Sequence, residues 1–513
     1  MVHKVKLSVA HCRRPAFLFR ANLFSLALLI SSLAVFGTLW FWESFPKRSG
    51  TYGWIGLLGI IAFGPTFNRL RQRRFDLAEP GVWFAAFYFV DFSANAFYDI
   101  TFGSVWLNQD AAATDMRLIN TALAVSTIGL ISFWAGYSLS IGRLAARSLP
   151  LLPARWKPSR LLPVAIACLL VAWALRVYII TSHSGNLLAW VTGDKDRIIR
   201  LASGFFTYIR ITYIAFGTAG IVLLFILIRK FSSFKSLWIF FAALPLELSF
   251  LFIEGKRICL PSLLFSLLIA GYMLSPRGHR ISTQFLSLVL VILLIAVLLY
   301  PLVTMMRFGV EDPLETLLHS GRYHPVALFQ MVGRNLHSLD SLAMVIQKVP
   351  SEIIFSYGTE ITRMPYALIP RAIWPEKPII NPDDLFREQF VRKGLVAEGV
   401  AVSISLPGEF YWDGGIFGVC LGMGFFGILW KFLYTYLAKR VGNLSNCLIT
   451  SVVFVWFFMI LQQNVVNFTA HVYELVLLTM ICLLVSETKR RPVFSERVFP
   501  LNEKWIQTKE IQQ

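Results

Sequence analysis

Apolar residues run along this chain in blocks of about 20, the length a helix needs to cross the hydrocarbon of a bilayer. The blocks fall at residues 22–42, 51–67, 81–97, 118–141, 161–180, 207–228, 237–253, 258–274, 285–303, 413–437, 448–461 and 471–485. About twelve crossings are therefore predicted, and an even number puts both termini on one side. A closed barrel shows short alternating segments instead, and none stands out. The expected fold class is an all-α polytopic membrane protein. Its parts are a membrane bundle over residues 1–303, a polar insertion over 304–408, the rest of the bundle over 409–487 and a tail over 488–513.

The insertion breaks the apolar pattern but has periodicities of its own. Asp312-Pro313 with Glu315 reads as a capping box with proline at the first helical position. Over residues 325–349, Leu328, Val332, Leu336, Leu339, Ala343 and Ile346 follow a helical period. That helix is expected to lay one face on the bundle and to present Arg334, His337 and Asp340 elsewhere. Residues 365–382 hold five prolines and predict a stiff, extended loop. Just beyond, Asp413 is placed to cap the tenth span. Gly415, Gly418, Gly422, Gly424 and Gly427 are placed for close helix packing.

Composition agrees with the pattern. Hydrophobic residues make up 56% of the chain and charged residues 15%, against roughly 25% charged in a soluble domain. The formal charge of +19 would suggest nucleic acid in a soluble chain. In a membrane protein it is read through topology, because basic residues collect in cytoplasmic loops. One set of loops holds the amino-terminal tail, Arg69/Arg71/Arg73/Arg74, Arg143/Arg147/Arg155/Lys157/Arg160, Arg229/Lys230/Lys235, Arg277/Arg280, Lys439/Arg440 and Lys489/Arg490/Arg491. The alternate set includes the acidic stretch 98–117 and the long insertion. Both termini are therefore expected in the cytoplasm, with the insertion facing outward. The first apolar run is too long for a signal-peptide core and is expected to stay as an anchor. The six cysteines are scattered without a CxxC and read as small buried hydrophobes.

Arginines stand where they are expensive. Arg176 and Arg210 lie near the outer ends of the fifth and sixth spans, Arg257 follows the seventh, and Arg307 follows the ninth. An arginine near hydrocarbon faces the bundle interior, a wet cavity or a partner. With Arg197 and Arg200 in the neighbouring loop, the group suits a phosphorylated ligand, since guanidinium binds phosphate oxygens through paired hydrogen bonds. A lipid pyrophosphate is the natural candidate. Arg322, Arg334 and Arg371 in the insertion and Tyr411 beside it join this substrate-binding set. Glu409, among aromatic residues and expected at the membrane surface, is suited to proton transfer. No Walker-type loop, GxGxxG after a strand, HExxH or zinc spacing occurs. No metal site and no nucleic-acid partner are expected.

Two stretches carry a family resemblance. Ile369-Pro370-Arg371-Ala372-Ile373-Trp374-Pro375-Glu376-Lys377-Pro378, and the P-G-E-F-Y-x-D-G-G-x-x-G run between Ser403 and Gly418, resemble bacterial oligosaccharide repeat-unit polymerases of the Wzy (O-antigen polymerase) type. Glu254-Gly255-Lys256-Arg257 is similar to that family's small-basic-Arg signature, and Arg322 to Gly333 shows one arginine-to-glycine spacing of the kind the family uses. The resemblance implies a GT-C-like bundle in the bacterial inner membrane, with a large helical periplasmic loop between spans 9 and 10. It implies a glycosyltransferase that moves a glycan from undecaprenyl pyrophosphate to a hydroxyl of the next lipid-linked unit, without nucleotide sugar or metal. A chain-length regulator is an implied partner. In this reading Arg257 stabilises the leaving group, and Glu409 or His337 serves as base. An O-antigen ligase, a lipid-linked oligosaccharide flippase and a structural membrane subunit are the competing readings.

Overall fold

A computed structural model describes residues 49–72, 75–102, 116–184, 205–232, 234–253, 259–275, 337–359, 382–391, 403–438, 443–462 and 464–487, with scattered positions between 362 and 376. The described residues are nearly all helical. Helices α1 (Ser49–Arg71), α2 (Pro80–Phe102), α3 (Met116–Ser138), α4 (Ile141–Ser148), α5 (Pro158–Ser184), α6 (Phe205–Phe231), α7 (Phe234–Ile253) and α8 (Cys259–Met273) form the first part. Two short helices from the insertion follow, α9 (Ser338–Lys348) and α10 (Pro382–Phe390). Then come α11 (Leu406–Leu433), which ends in a π-turn, α12 (Leu444–Val453), α13 (Trp456–Met459) and α14 (Val465–Val485). Five helices are long and apolar enough to cross a membrane, and several shorter apolar helices accompany them. This is a helical membrane protein. Each apolar block that falls on described residues coincides with a helix; the first and ninth blocks, and the capping box at Asp312, lie outside them.

Two bundles share one apolar core. In the first, α3 packs along α11, with α1, α2 and α4 alongside. Small residues make this seam: a Cβ at Gly136 would fall on the backbone of Gly424, and one at Gly427 on that of Phe133. Backbones approach this closely only where side chains are absent. In the second bundle α5 packs along α6, with α7, α8, α12 and α14 around them. The two join where Trp83 of α2 meets Phe454 edge-to-face and Trp430 of α11 donates its indole N–H to the Phe457 carbonyl at 2.9 Å. Asn443 caps α12, its side chain accepting from the amides of Ser445 and Asn446.

The tenth span departs from expectation. Its helix starts at Leu406 rather than Asp413, and it is broken by non-helical backbone at Gly414 and Gly415. Gly415 holds φ at +62°, a conformation that favours glycine. The arm before the break folds back on the arm after it. A Cβ at Gly418 would sit on the Phe410 carbonyl oxygen, and one at Gly422 would enter the Phe410 ring. In a straight helix residues 410 and 422 would be about 18 Å apart. Gly418 and Gly422 are thus packing positions as expected, but they accept the chain's own preceding turn.

Candidate functional site

The insertion helices do not simply rest on the bundle. Helix α9 enters between α2, α3 and the first arm of α11. Ser338 donates its hydroxyl to Asp91, midway along α2, and Asn95 Oδ1 accepts the amides of Leu339 and Asp340 at 3.1 and 3.2 Å. Asn95 therefore supplies the capping acceptor that α9 lacks at its own N-cap, His337. Ser341 reaches the Ile404 carbonyl at 2.9 Å. As a result all residues from Ser338 to Val345 are buried. Asp340, expected on an outward face, is 5% exposed. The periodicity gave one apolar face correctly; the remaining sides are covered because polar partners on α2 and before α11 meet its serines and backbone.

Helix α10 enters beside α9. Asp383 in its first turn accepts the Ile404 amide at 3.2 Å and the side-chain amide of Asn464. Burial pushes the Asp383 carboxyl up to about 7, those two hydrogen bonds oppose the rise, and neighbouring Asp384 adds to it. At the other end Lys348 Nζ donates to the Phe390 carbonyl at 3.0 Å, and Phe390 meets Trp412 edge-to-face at 5.1 Å. Helices α9, α10 and the first arm of α11 thus lie together, each with its N-terminal end by Ile404 and Ser405 or the partners just named.

The fold-back of α11 decides where Glu409 stands. Expected at the membrane surface, it is 1% exposed, and its Oε2 accepts the Val465 amide at 2.9 Å at the start of α14. The same fold-back reassigns Asp413. Its carboxylate does not cap a helix; it accepts from the Ser356 hydroxyl and from the Gly358 amide at 3.1 Å, holding the 354–358 turn against the hairpin tip. Trp412 adds an N–H bond to the Ile354 carbonyl at 3.2 Å. Tyr411 is half-buried between the main core and the smaller loop core.

On the other bundle, Arg176 is fully buried on α5 and forms a fork with Glu247 of α7, Nη1 to Oε2 at 2.5 Å and Nη2 to Oε1 at 2.7 Å. Trp173 donates to the same Oε2 at 3.0 Å. The guanidinium also lies over Tyr213 at 4.9 Å and Phe250 at 5.5 Å. Glycine at 217 leaves the room that the Glu247 carboxylate occupies. Two helical turns before Gly217, and so on the same face of α6, stands Arg210. It is half-buried, its Nε is sealed from water, and it has no hydrogen-bond or ion-pair partner among the described residues. On the opposite face of α6 Thr212 and Tyr473 of α14 pair their hydroxyls at 3.2 Å, and Tyr208 meets the Tyr473 ring edge-to-face.

Of the other arginines singled out in the sequence, Arg197, Arg200, Arg257, Arg307, Arg322, Arg334 and Arg371 lie outside the described residues. The structure therefore brings His337, Glu409 and Tyr411 to the insertion junction, and Arg176 and Arg210 to the α5–α6–α7 contact. Sequence reading passed over Asp91, Asn95, Asp383, Asn464 and above all Glu247. The signal was present for Asp91 and Glu247: an ionisable residue inside an apolar span marks a partner or a site by default.

Residues 324–490 match the family described as a domain of unknown function, DUF8712. The match takes in α9 to α14 and with them His337, Glu409 and Tyr411, whereas Arg176 and Arg210 lie before it. No curated protein and no solved structure matches the chain.

Proposed function

We propose that this protein is a GT-C-class polymerase of lipid-linked oligosaccharide repeat units, working on the periplasmic face of a bacterial inner membrane. The observation that carries the reading is Arg210: a half-buried arginine with no partner among the described residues, on the helix face that two turns later, at Gly217, meets the carboxylate pairing with Arg176. A buried guanidinium N–H calls for an acceptor, and a pyrophosphate oxygen is an acceptor that suits arginine. The motifs shared with repeat-unit polymerases point the same way.

In the proposed reaction the bond between the sugar anomeric carbon and the pyrophosphate oxygen breaks, and the acceptor hydroxyl oxygen bonds to that carbon. The hydroxyl proton passes to Glu409 or His337. Undecaprenyl pyrophosphate leaves with one more negative charge, which Arg210, Arg257 and Arg307 stabilise. Arg197, Arg200, Arg322, Arg334, Arg371 and Tyr411 bind donor and acceptor. Arg176 orders the same region through Glu247. No nucleotide sugar or metal enters this scheme.

The test is elongation of purified lipid-linked repeat units by the purified protein. Longer lipid-linked glycans are expected, and Arg210→Ala is expected to slow their formation on the order of a hundredfold. Full-length polymer at the wild-type rate from that variant would remove the role given to Arg210. Absence of any new glycosidic bond with the wild-type protein would end the polymerase reading, and transfer only to a lipid A core would replace it with a ligase.

A further inference from the structure

Helix α4 follows directly on the end of α3 and carries a surface that the proposed chemistry does not use. Gly142 and Ala146 are its buried positions, packed on α11 where a Cβ at 142 would press on the backbone of Phe432. At 100° per residue Arg143 and Arg147 share one flank of α4, and Ile141 and Leu144 share the other. Both flanks are open: Ile141 is 56% and Leu144 60% exposed. The strap after α4 continues the apolar flank with Leu149 and Leu151, the latter 71% exposed. Arg143 and Arg147 are exposed and have no hydrogen-bond or ion-pair partner among the described residues.

The strap is held in place. Tyr436 donates to the Pro150 carbonyl at 2.8 Å, and Asn443 to that of Leu152 at 3.1 Å. Trp156 donates to Ser445 Oγ at 2.9 Å and pairs with Ser486 in an isolated bridge. Backbone bonds from Lys157 to Val485 and from Glu487 to Arg155 close the contact with α14. The surface is therefore pre-formed at the ends of α11, α12 and α14.

We propose that α4 and its strap bind an anionic phospholipid of the surrounding leaflet. Open leucine and isoleucine side chains at the end of a spanning helix belong among acyl chains, and arginines one flank away then stand at headgroup depth. Arg143 and Arg147 are four residues apart, and on a helix such side chains are neighbours. Together they hold the headgroup phosphate through paired N–H donors. A zwitterionic lipid offers the same phosphate beside a compensating cation and is held less well. This inference does not depend on the glycosyltransfer reading.

Native mass spectrometry of the full-length protein, titrated with phosphatidylglycerol or phosphatidylcholine, tests it. The wild type is expected to retain a tightly held phosphatidylglycerol in preference to phosphatidylcholine. Arg143→Ala with Arg147→Ala is expected to weaken that binding by about fivefold per arginine removed. Both side chains are exposed, so folding should be spared, and Arg143→Lys with Arg147→Lys is a second variant that keeps the charge and most of the binding. As an independent readout, phosphatidylglycerol should raise the melting temperature of the wild type more than that of the double alanine variant. Equal retention of the two lipids, undiminished binding by the double alanine variant, or an equal response to soluble glycerol phosphate would overturn the proposal.

Discussion

Two arginine–glutamate pairs hold opposite regions of this molecule, and they are built differently. Arg176 and Glu247 have side chains 1% and 0% exposed. Arg69 and Glu79, between α1 and α2, have side chains 24% and 5% exposed, with one contact at 2.6 Å. The buried pair is a two-bonded fork with an indole donor and two aromatic faces around it. The outer pair belongs to a wider set. Tyr137 donates to Glu79, Tyr272 and Tyr434 donate to Asp76, and Lys431 lies over the Tyr137 and Tyr434 rings. Burial pushes the Glu79 carboxyl above the usual range, with Arg69 pulling against it. In the apolar region each partner is indispensable to the other, because neither water nor a second ion can replace it. At the loop, removal of one group leaves others.

The comparison can be broken most directly at Glu247. Glu247→Ala is expected to cost about 3–5 kcal/mol, because it strands a buried guanidinium. The double change Arg176→Met with Glu247→Met should cost much less. Thermal unfolding in detergent measures both, and a double variant as unstable as the single would refute the pairing argument. Asp383 sharpens the comparison from a third side, as a buried carboxylate held by hydrogen bonds. Its folded pKa of about 7 exceeds the unfolded value of about 3.9. The folded state therefore binds the proton more tightly, and stability should fall as pH rises between those two values and level off above the folded one. Unfolding followed at pH 5 and pH 8 should show this loss, on the order of a few kcal/mol, and Asp383→Asn should flatten it. An unchanged profile in that variant would shift the pH response to another group.

Gly217→Ala comes next, at about 1–3 kcal/mol, since the added methyl meets the Glu247 carboxylate. Combined with Glu247→Ala, most of its cost should vanish; simple additivity in a double-mutant cycle would argue against that contact. The smallest effect is expected at Arg69→Ala, about 1 kcal/mol or less, because the side chain is partly solvated and Tyr137 still serves Glu79. Raising the salt concentration should narrow the gap between that variant and wild type, while leaving the Glu247→Ala loss intact.

Much of the helical framework was legible from apolar blocks, because length and hydropathy are one-dimensional properties. Partnerships were not. Arg176 and Glu247 are 71 positions apart, and nothing local to either selects the other. Helix α9 was legible in its Leu339–Ala343–Ile346 face, but Asp340 read as lying off the bundle, and nothing local showed that Asp91, Asn95 and Ile404 meet Ser338, the Asp340 amide and Ser341. Asp413-Gly414-Gly415 read as the start of a span because Asp413 is a good capping residue ahead of an apolar run; only the third dimension shows a turn. Of the candidate site, the position of Glu409 was legible to within its chain neighbourhood, and its burial was not.

That turn also governs how the protein is laid into its membrane. The run Leu406–Ala438 holds 33 residues, more than one crossing needs, and residues 406–413 double back on those that follow. The stretch after Gly415 is by itself long enough to cross the hydrocarbon. A leading arm that settles sideways against its successor adds apolar length without adding a passage, so a count of apolar residues overstates how far this segment reaches.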